Sequence, residues 1–178
     1  MLVQEYIDYI NNNKLENIFI VGSYSISKHL NREVDDLDFS FFESKSRKPF
    51  KTKNNIKGKI SFHHRLEGNL DFYQNRYYIL NLTDEKIFKN NFYRTFQISE
   101  KDIHVVIPEI EIAYKIIKAR KKDIIDLEFI QVNSHDNLDW ELINGLVIKS
   151  KKLTNFRKKL LLLNIIYIKI KKAMKRLF

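Results

Sequence analysis

The spacing of the apolar residues changes at Pro108, and this change constrains the fold more than any other feature. Before Pro108, short apolar or alternating runs are typical of strands; they cover residues 17–22, 36–42 and 102–107, with three more runs over roughly 59–82. After it, apolar residues recur every three or four positions, which predicts helices, and proline suits a first helical turn. We therefore predict an α+β fold, with a β-rich lobe over 1–107 and a helical lobe over 108–178.

Other local patterns add detail to this outline. Helices are predicted over 2–11 and 84–95, and over 23–30 with Ser23 as the N-cap residue. The polar, basic stretch 43–58 predicts a loop. The helices predicted after Pro108 continue over 136–148 and 151–177. The last carries an apolar seam at heptad spacing, which predicts packing against the other helices or, as an alternative, a coiled-coil dimer.

Composition excludes several classes of protein. A hydrophobic fraction of 44% and an aromatic fraction of 13% argue against disorder. The absence of cysteine excludes disulfides and thiolate zinc sites. No signal peptide is evident, and the most apolar run, 160–168, is too short to span a bilayer. We therefore expect a soluble, cytoplasmic protein without a transmembrane segment.

The net charge of +10 is concentrated at one end of the chain. Residues 149–178 hold eleven Lys or Arg and no acid, whereas the other 148 residues hold 21 basic and 22 acidic residues. Such a basic segment is typical of a contact with an anionic partner, RNA or DNA first and a membrane surface second. The alternative is the solvated face of a helix.

Two aspartates alternate with apolar residues on the strand predicted over 36–42. Successive side chains of a strand point to opposite faces, so Asp36 and Asp38 share one face while Leu37 and Phe39 reach the core. Neighbouring carboxylates repel unless a cation, a shared proton or water relieves them, and a solvated acidic turn is the plain alternative. Oxygen ligands without His or Cys suit Mg²⁺ or Mn²⁺. We therefore predict that Asp36 and Asp38 are metal ligands.

A Gly-Ser pair ends the apolar run that precedes these acids. Gly22 allows a sharp turn and a close approach of a phosphate to the backbone, while Ser23 offers a hydroxyl. A helix that begins here presents unpaired N–H groups to an anion. The turn and the acids together predict a site for a nucleoside triphosphate.

This stretch, GSYSISKHLNREVDDLDF, resembles the signature of the polymerase-β-like nucleotidyltransferase superfamily, in which a strand, Gly-Ser, a helix and Asp-x-Asp follow one another. The resemblance implies a mixed sheet and a third carboxylate on a later strand. Asp71 is the best match for that carboxylate, with Glu67 and Asp84 as alternatives.

A second motif, IAYKIIKARKKDIIDLEF, covers residues 112–129. Taken alone, its charges are typical of an exposed helix face. The motif is, however, similar to the later motifs of AbiEii-type nucleotidyltransferases, the toxins of a class of bacterial toxin–antitoxin systems. That resemblance implies that Lys115 contacts the triphosphate and that Asp123, with Asp126 as the alternate, acts as a base or orients a helper group.

Together these features predict Mg²⁺-dependent transfer of a nucleoside monophosphate from an NTP to an acceptor hydroxyl. RNA is the expected acceptor, a tRNA 3′ end above all, and an antitoxin protein is an expected partner. Two alternatives stay open: nucleotidylation of a protein or small molecule, and a non-catalytic domain that binds RNA or protein. The five histidines lack partners at metal-ligand spacing, and we assign them no role.

Overall fold

A computed structural model of the chain describes Asp8 and residues 18–30, 32–34, 36–41, 52–56, 59–65, 70–98 and 100–150. The helices predicted over 2–11 and 151–177 lie outside the described residues, apart from Asp8, which is helical. The apolar seam and most of the basic segment are outside them as well.

Seven strands form one mixed sheet in the order β3–β4–β5–β2–β1–β7–β6. Their bounds are β1 Ile18–Val21, β2 Leu37–Phe41, β3 Thr52–Ile56, β4 Lys59–Arg65, β5 Leu70–Gln74, β6 Tyr93–Ile98 and β7 Lys101–Val106. The interior strand β1 pairs antiparallel with β2 and parallel with β7, and the central strand β2 pairs parallel with β5. The α+β class and the mixed sheet are confirmed.

Within the described residues, four α-helices follow or interrupt the strands: α1 Asp84–Lys89, α2 Pro108–Lys118, α3 Lys121–Asn133 and α4 Trp140–Ile148. The described part of the chain also forms three 3₁₀ helices, and the longest, Gly22–His29, is called the first 3₁₀ helix below. Pro108 begins α2 as predicted, because a proline lacks only an N–H that a first turn leaves unbonded. Ala119 ends that helix in a left-handed conformation with φ 47°.

The sheet and the helices share one hydrophobic core. Phe19 and Val21 of β1 are fully buried and belong to the same apolar cluster as Ile110 and Ala113 of α2 and Ile143 of α4. The four-residue apolar run of β1 is buried throughout, as expected for an interior strand covered on both faces. The predicted boundary at residue 107 falls between β7 and α2, and the division into two lobes stays a prediction.

Some predicted elements are wrong. The helix predicted over 84–95 ends at Lys89, because Asn91 takes a left-handed conformation with φ 53° and the chain then forms β6. The predicted loop 43–58 contains β3, which pairs with β4. The strand predicted near residues 76–82 is instead a 3₁₀ turn, Tyr78–Leu80, that follows a left-handed Asn75.

Ser23 does not cap the first 3₁₀ helix. The helix starts one residue earlier, its N-cap position is Val21, and no side chain caps it. Ser25 instead donates from Oγ to the carbonyl oxygen of Gly22 at 2.8 Å. The hydroxyl of Ser23 is therefore available for another contact, described below.

Candidate active site

The predicted site residues of the first motif meet at one edge of the sheet. β1 ends at Val21, whose antiparallel partner is Asp38 near the start of β2. In the parallel pair of β2 and β5, Asp38 is in register with Asp71. The strand pairing thus brings the glycine turn and the backbones of Asp38 and Asp71 to the same edge. The side chain of Asp71 and the whole of Glu67 are outside the described part of the chain.

Gly22 and Asp38 are in close contact. Gly22 has φ 74°, a backbone conformation that side chains disfavour. A Cβ placed on residue 22 would overlap the Asp38 carboxylate, lying 2.9 Å from its Cγ and 3.0 Å from its Cβ. Glycine is therefore required here both for the turn and for the approach of the carboxylate.

The alternation of side chains along β2 is as predicted. Leu37 and Phe39 are fully buried, and Asp38, on the opposite face, is 9% exposed. Asp36, just before the strand, is exposed and has no hydrogen-bond or ion-pair partner among the described residues. The two carboxylates thus differ in environment, one solvated and one held inside the protein.

Arg76, which the sequence analysis missed, holds the Asp38 carboxylate. Its Nη1 lies 2.9 Å from Asp38 Oδ2, and its Nη2 lies 3.5 Å from Glu111 Oε1. The guanidinium carbon also lies 4.5 Å from the ring centre of Tyr73 and 5.2 Å from that of Tyr114. Burial alone would lower the pKa of Arg76, but Glu111 and Asp38 outweigh it and raise that pKa well above its usual value. Arg76 is therefore a permanent buried cation beside Asp38.

Tyr77 connects Glu111 to the glycine turn. Its hydroxyl donates to Glu111 Oε2 at 2.8 Å and accepts from the backbone N–H of Gly22 at 3.4 Å. Burial first, and then the charge of Glu111, raise the pKa of Tyr77 well above its usual value, so the phenol stays protonated. One backbone N–H of the predicted anion-binding turn is thereby directed at Tyr77 instead.

The residues of the second motif form a buried ion cluster. Lys115, only 1% exposed, lies with Nζ 3.0 Å from Asp126 Oδ2 and 3.3 Å from Asp123 Oδ1. These contacts arise because the break at Ala119 lets α3 fold back onto α2, so both aspartates face the lysine. The structure therefore places Lys115, Asp123 and Asp126 in contact with each other and buried, so the alternative of an exposed helix face is wrong for these three side chains, and their roles toward a nucleotide stay a prediction.

Each aspartate of the cluster also binds an arginine. Arg120 donates from Nε and Nη2 to Asp123 at 2.7 and 3.0 Å, and Arg32 donates in the same two-pronged way to Asp126 at 3.1 and 3.2 Å. Burial would raise the pKa of both carboxyls, but the hydrogen bonds from the arginines and the charge of Lys115 lower them below the usual range. Both carboxyls are ionised at neutral pH.

Arg32 ties this cluster to the first motif. Besides Asp126, its Nη2 donates to Ser23 Oγ at 3.2 Å. The glycine turn thus lies between two charged groups: Asp38 with Arg76 on one side, and Asp126 with Arg32 on the other. Sequence spacing alone could not show this contact, because 94 residues separate Arg32 from Asp126.

Asp84, an alternative for the third carboxylate, is buried near the same strand. Its carboxylate accepts from Ser40 Oγ at 2.6 Å and from the backbone N–H of Asn75. Burial raises the pKa of Asp84 to about 7, although both hydrogen bonds act to lower it. The residue ties the start of α1 to the end of β5 and contacts neither Asp36 nor Asp38 in any described hydrogen bond.

The chemistry of Asp36 and Asp38 suits a divalent cation, although the Asp38 carboxylate is already paired with Arg76. Asp36 and Asp38 offer oxygen donors only, which Mg²⁺ and Mn²⁺ prefer. A cation there would share the Asp38 carboxylate with Arg76. Among the described side chains, no group of three or more His, Asp or Glu could hold a metal ion, so any third protein ligand would come from a side chain such as that of Asp71.

A separate cavity of about 320 Å³ is lined in part by the first 3₁₀ helix. Tyr24, His29, Arg94 and Phe96 are among the residues that line it, and none of the predicted site residues does. Burial lowers the pKa of His29, although the charge of Glu109 acts to raise it. This cavity therefore does not coincide with the candidate active site.

No protein-family model and no curated protein sequence matches the chain. Among solved structures, the chain is similar to the crystal structure of an antigenic nucleotidyltransferase-like protein from Paracoccidioides brasiliensis, with 14% sequence identity. The likeness covers 82% of this chain and 84% of that chain, at a TM-score of 0.42. In the part of the chain that the structure describes, no helix combines the length and hydrophobicity needed to cross a bilayer.

Proposed function

We propose that the protein transfers a nucleoside monophosphate from an NTP to an acceptor hydroxyl and releases pyrophosphate. The observation that carries this proposal is the contact between Gly22 and Asp38, which sets a strand-end glycine turn directly against an acid of the alternating pair. A solvated carboxylate and a buried one, next to a turn with a serine hydroxyl, suit a phosphate-bound cation better than a purely structural role.

In this proposal, Asp36 and Asp38 would hold Mg²⁺ or Mn²⁺. When bound, the cation would neutralise charge on the phosphoryl oxygens and lower the pKa of the attacking hydroxyl. Arg76 and Gly22 fix the position of the Asp38 carboxylate, since one pairs with it and the other leaves room for it. The register of Asp71 beside Asp38 supports Asp71 as the third carboxylate.

In this proposal, the second motif has a structural role next to the nucleotide site. Contact between Lys115 and a triphosphate stays a prediction, because the ammonium is paired with Asp123 and Asp126. Asp123 accepts hydrogen bonds from Arg120 and Lys115, and its lowered pKa makes it a poor base at neutral pH. Of the two roles predicted for Asp123, the pairing favours orientation of neighbouring groups.

An RNA acceptor, a tRNA 3′ end above all, is the acceptor we favour. The support is the concentration of eleven basic residues and no acid over residues 149–178. A role as the toxin of a toxin–antitoxin pair, with an antitoxin as partner, follows only from the resemblance of the second motif to AbiEii-type proteins.

A second candidate function is a non-catalytic domain that binds RNA or protein. The observation that favours it is the pairing of Asp38 with Arg76, because a carboxylate already neutralised by a buried guanidinium has less affinity for a cation. The two functions differ in one measurable property, turnover that depends on a divalent cation.

The test is labelling with each of four radioactive NTPs against total RNA and against a protein extract, with Mg²⁺ and with EDTA. We expect label in RNA with Mg²⁺ only, and its loss in the double variant D36N/D38N. The matched control is E100Q/D102N, which neutralises two exposed acids at the same spacing. Transfer that survives in D36N/D38N would refute the assignment of the acids.

The same experiment separates the alternatives. Label in protein instead of RNA would identify protein nucleotidylation. Binding of RNA with a steep salt dependence, without label in any extract, would support the non-catalytic domain.

A further inference from the structure

The cavity beside the first 3₁₀ helix has an apolar floor that the sheet supplies. Ile20 of β1 is in register with Val105 of β7, and Ile103 lies two residues before Val105, so the three side chains share one face of the sheet. All three line the cavity, and Ile20 and Ile103 are 1% and 2% exposed. The floor is therefore formed by paired strands and exists before any ligand binds.

The edge strand β6 extends this face toward solvent. Its residues Arg94 and Phe96 are in register with Val105 and Ile103, so their side chains stand on the same face as the floor. Phe96 is 42% exposed and adds an aromatic wall, and Arg94 is exposed as well. Apolar side chains and one guanidinium thus line the solvent side of the cavity.

Two cations at this cavity have no described partner. Lys28, near the end of the first 3₁₀ helix, and Arg94 are both exposed, and the side chain of neither forms a hydrogen bond or an ion pair with a described residue. Burial is the main cause that lowers the pKa of His29, and the charges of Arg94 and Lys28 add to it. Because both charges act on His29, which also lines the cavity, the two cations lie near each other.

Acidic residues do not offset these charges inside the cavity. None of the described residues that line it is acidic. Glu109, whose charge acts to raise the pKa of His29, does not line the cavity; it is buried and accepts from the backbone N–H of Asp139 at 3.2 Å. With the imidazole neutral at neutral pH, the cavity carries the two positive charges of Lys28 and Arg94.

These features select the chemistry of a ligand. An apolar floor offers no hydrogen bonds to a sugar or another polar body, so burial of such a group there is unfavourable. Two unpaired cations at the solvent side favour an anionic group and oppose an amine. At about 30 Å³ for each water-sized group, a cavity of about 320 Å³ holds about ten carbon atoms.

We propose that this cavity binds a carboxylate with an apolar body of about ten carbon atoms, with the body on the sheet face around Ile103 and the carboxylate at Lys28 and Arg94. The site goes beyond the proposed function and does not depend on it, because neither Asp36 nor Asp38 lines the cavity.

The test measures the binding of decanoate by calorimetry, below the concentration at which decanoate forms micelles. Decylammonium has the same chain with the opposite charge, and acetate has the carboxylate without the chain. We expect decanoate to bind at least about tenfold more tightly than either, since each of them lacks one of the two kinds of contact. Equal binding of decylammonium, or no binding of decanoate, would overturn the inference.

A matched pair of double variants locates the carboxylate. K28Q/R94Q removes both cations of the cavity and should weaken decanoate binding about tenfold. K121Q/K122Q removes two exposed lysines of α3 that do not line the cavity, and should weaken it less than about twofold. Equal losses in the two double variants would mean that the net charge of +10 attracts the anion, and the assigned site would be wrong.

A second matched pair locates the apolar body. F96A should weaken decanoate binding about fivefold, because it removes apolar contact area from the wall of the cavity. The control I124A changes a residue of α3 that is 46% exposed and outside the cavity, and should leave the affinity unchanged. Thermal unfolding of each variant monitors the fold. An F96A protein with the affinity of the wild type would contradict the placement of the body.

The variant D36N/D38N separates this site from the proposed active site. It should bind decanoate as the wild type does, whatever transfer it retains. Loss of decanoate binding in D36N/D38N would place the anion at the acids and reject the cavity. A protein that labels no acceptor, but binds decanoate through Lys28 and Arg94, would reject the transferase and retain the cavity site.

Discussion

The carboxylate of Asp38 occupies the space that a side chain at residue 22 would need. Gly22 has φ 74°, and a Cβ there would lie 2.9 Å from Asp38 Cγ. We expect G22A to lower the free energy of unfolding by at least about 2 kcal/mol, because a left-handed backbone and a steric overlap are both imposed on it. The proposed transfer from NTP should fall as well, since Asp38 must move.

A matched substitution is available in the same chain. Gly145 lies in α4 and has no atom within 4 Å of a Cβ built there. G145A should therefore stabilise the protein by about 0.5–1 kcal/mol, since alanine is the better helix residue. Urea denaturation of both variants checks the pair, and a G22A protein as stable as the wild type would contradict the described contact.

Asp84 should make stability depend on pH. Burial raises its pKa to about 7, so the folded protein holds a proton that the unfolded chain releases near pH 4. The stabilisation is therefore complete below about pH 4 and is lost as pH rises through about 7, with an upper limit of roughly 4 kcal/mol. Urea denaturation at pH 5, 6, 7 and 8 measures the decline.

The variant D84N isolates this effect. We expect a much flatter pH profile, and a stability within about 1 kcal/mol of the wild type at pH 5, because the amide, like the protonated carboxyl it replaces, has one acceptor oxygen and one donor group. The control D102N, at an exposed aspartate, should keep the profile of the wild type. A wild-type profile in D84N would show that another group titrates.

The sequence predicted the positions whose signal is local. The alternation in DLDFSFF placed Leu37 and Phe39 in the core and Asp38 opposite them, because strand geometry has a fixed period of two. Gly22 was identified because a glycine after an apolar run marks a turn. The pairs Lys115–Asp123 and Lys115–Asp126 were not predicted, because they depend on the break at Ala119 that separates two helices.

Contacts between segments that are far apart along the chain leave no local signal in the sequence. Arg76 stands in a run of tyrosines that resembled a strand, and only the tertiary fold shows that it pairs with Asp38 and Glu111. Arg32 meets Asp126 across 94 residues for the same reason. A charged residue in an apolar run was the one available hint of Arg76, since such a residue is buried only when it has partners.

Arg76 should be among the most sensitive positions of the fold. Its guanidinium is buried between Asp38 and Glu111, and its Nε has no hydrogen-bond partner among the residues that the structure describes. R76M would leave two carboxylates without their cation, for an expected loss of about 3–5 kcal/mol in the free energy of unfolding. The exposed Arg94 provides the control R94M, with an expected change within about 0.5 kcal/mol.

The double variant R76M/E111Q tests the cause of that loss. In R76M, Asp38 and Glu111 both lack their cation. E111Q removes one of these two charges, so the double variant should recover part of the stability that R76M loses, measured by urea denaturation. A double variant that is less stable than R76M by the full effect of E111Q alone would mean that the two residues do not interact.

The free energy of unfolding should also depend on Lys115 and its buried partners, and this dependence should change with pH. K115M removes the cation that Asp123 and Asp126 share, while each carboxylate keeps its arginine, and we expect a loss of about 1.5–3 kcal/mol at pH 7. K118M, on the same helix, removes a cation that lies 5.4 Å from the ring centre of Tyr114, and should cost about 1 kcal/mol or less.

The difference between K115M and the wild type should shrink as the pH falls below about 4. In the wild type, the pKa values of Asp123 and Asp126 are lowered in the folded state, so their stabilisation is present above the unfolded pKa and is lost as pH falls through the folded value. In K115M the same carboxyls take up protons more readily, because they lose the charge of Lys115 and keep only their arginines. Urea denaturation of both proteins between pH 3 and 7 measures the difference, and a constant gap over that range would mean that the cost of K115M is lost packing and not lost charge.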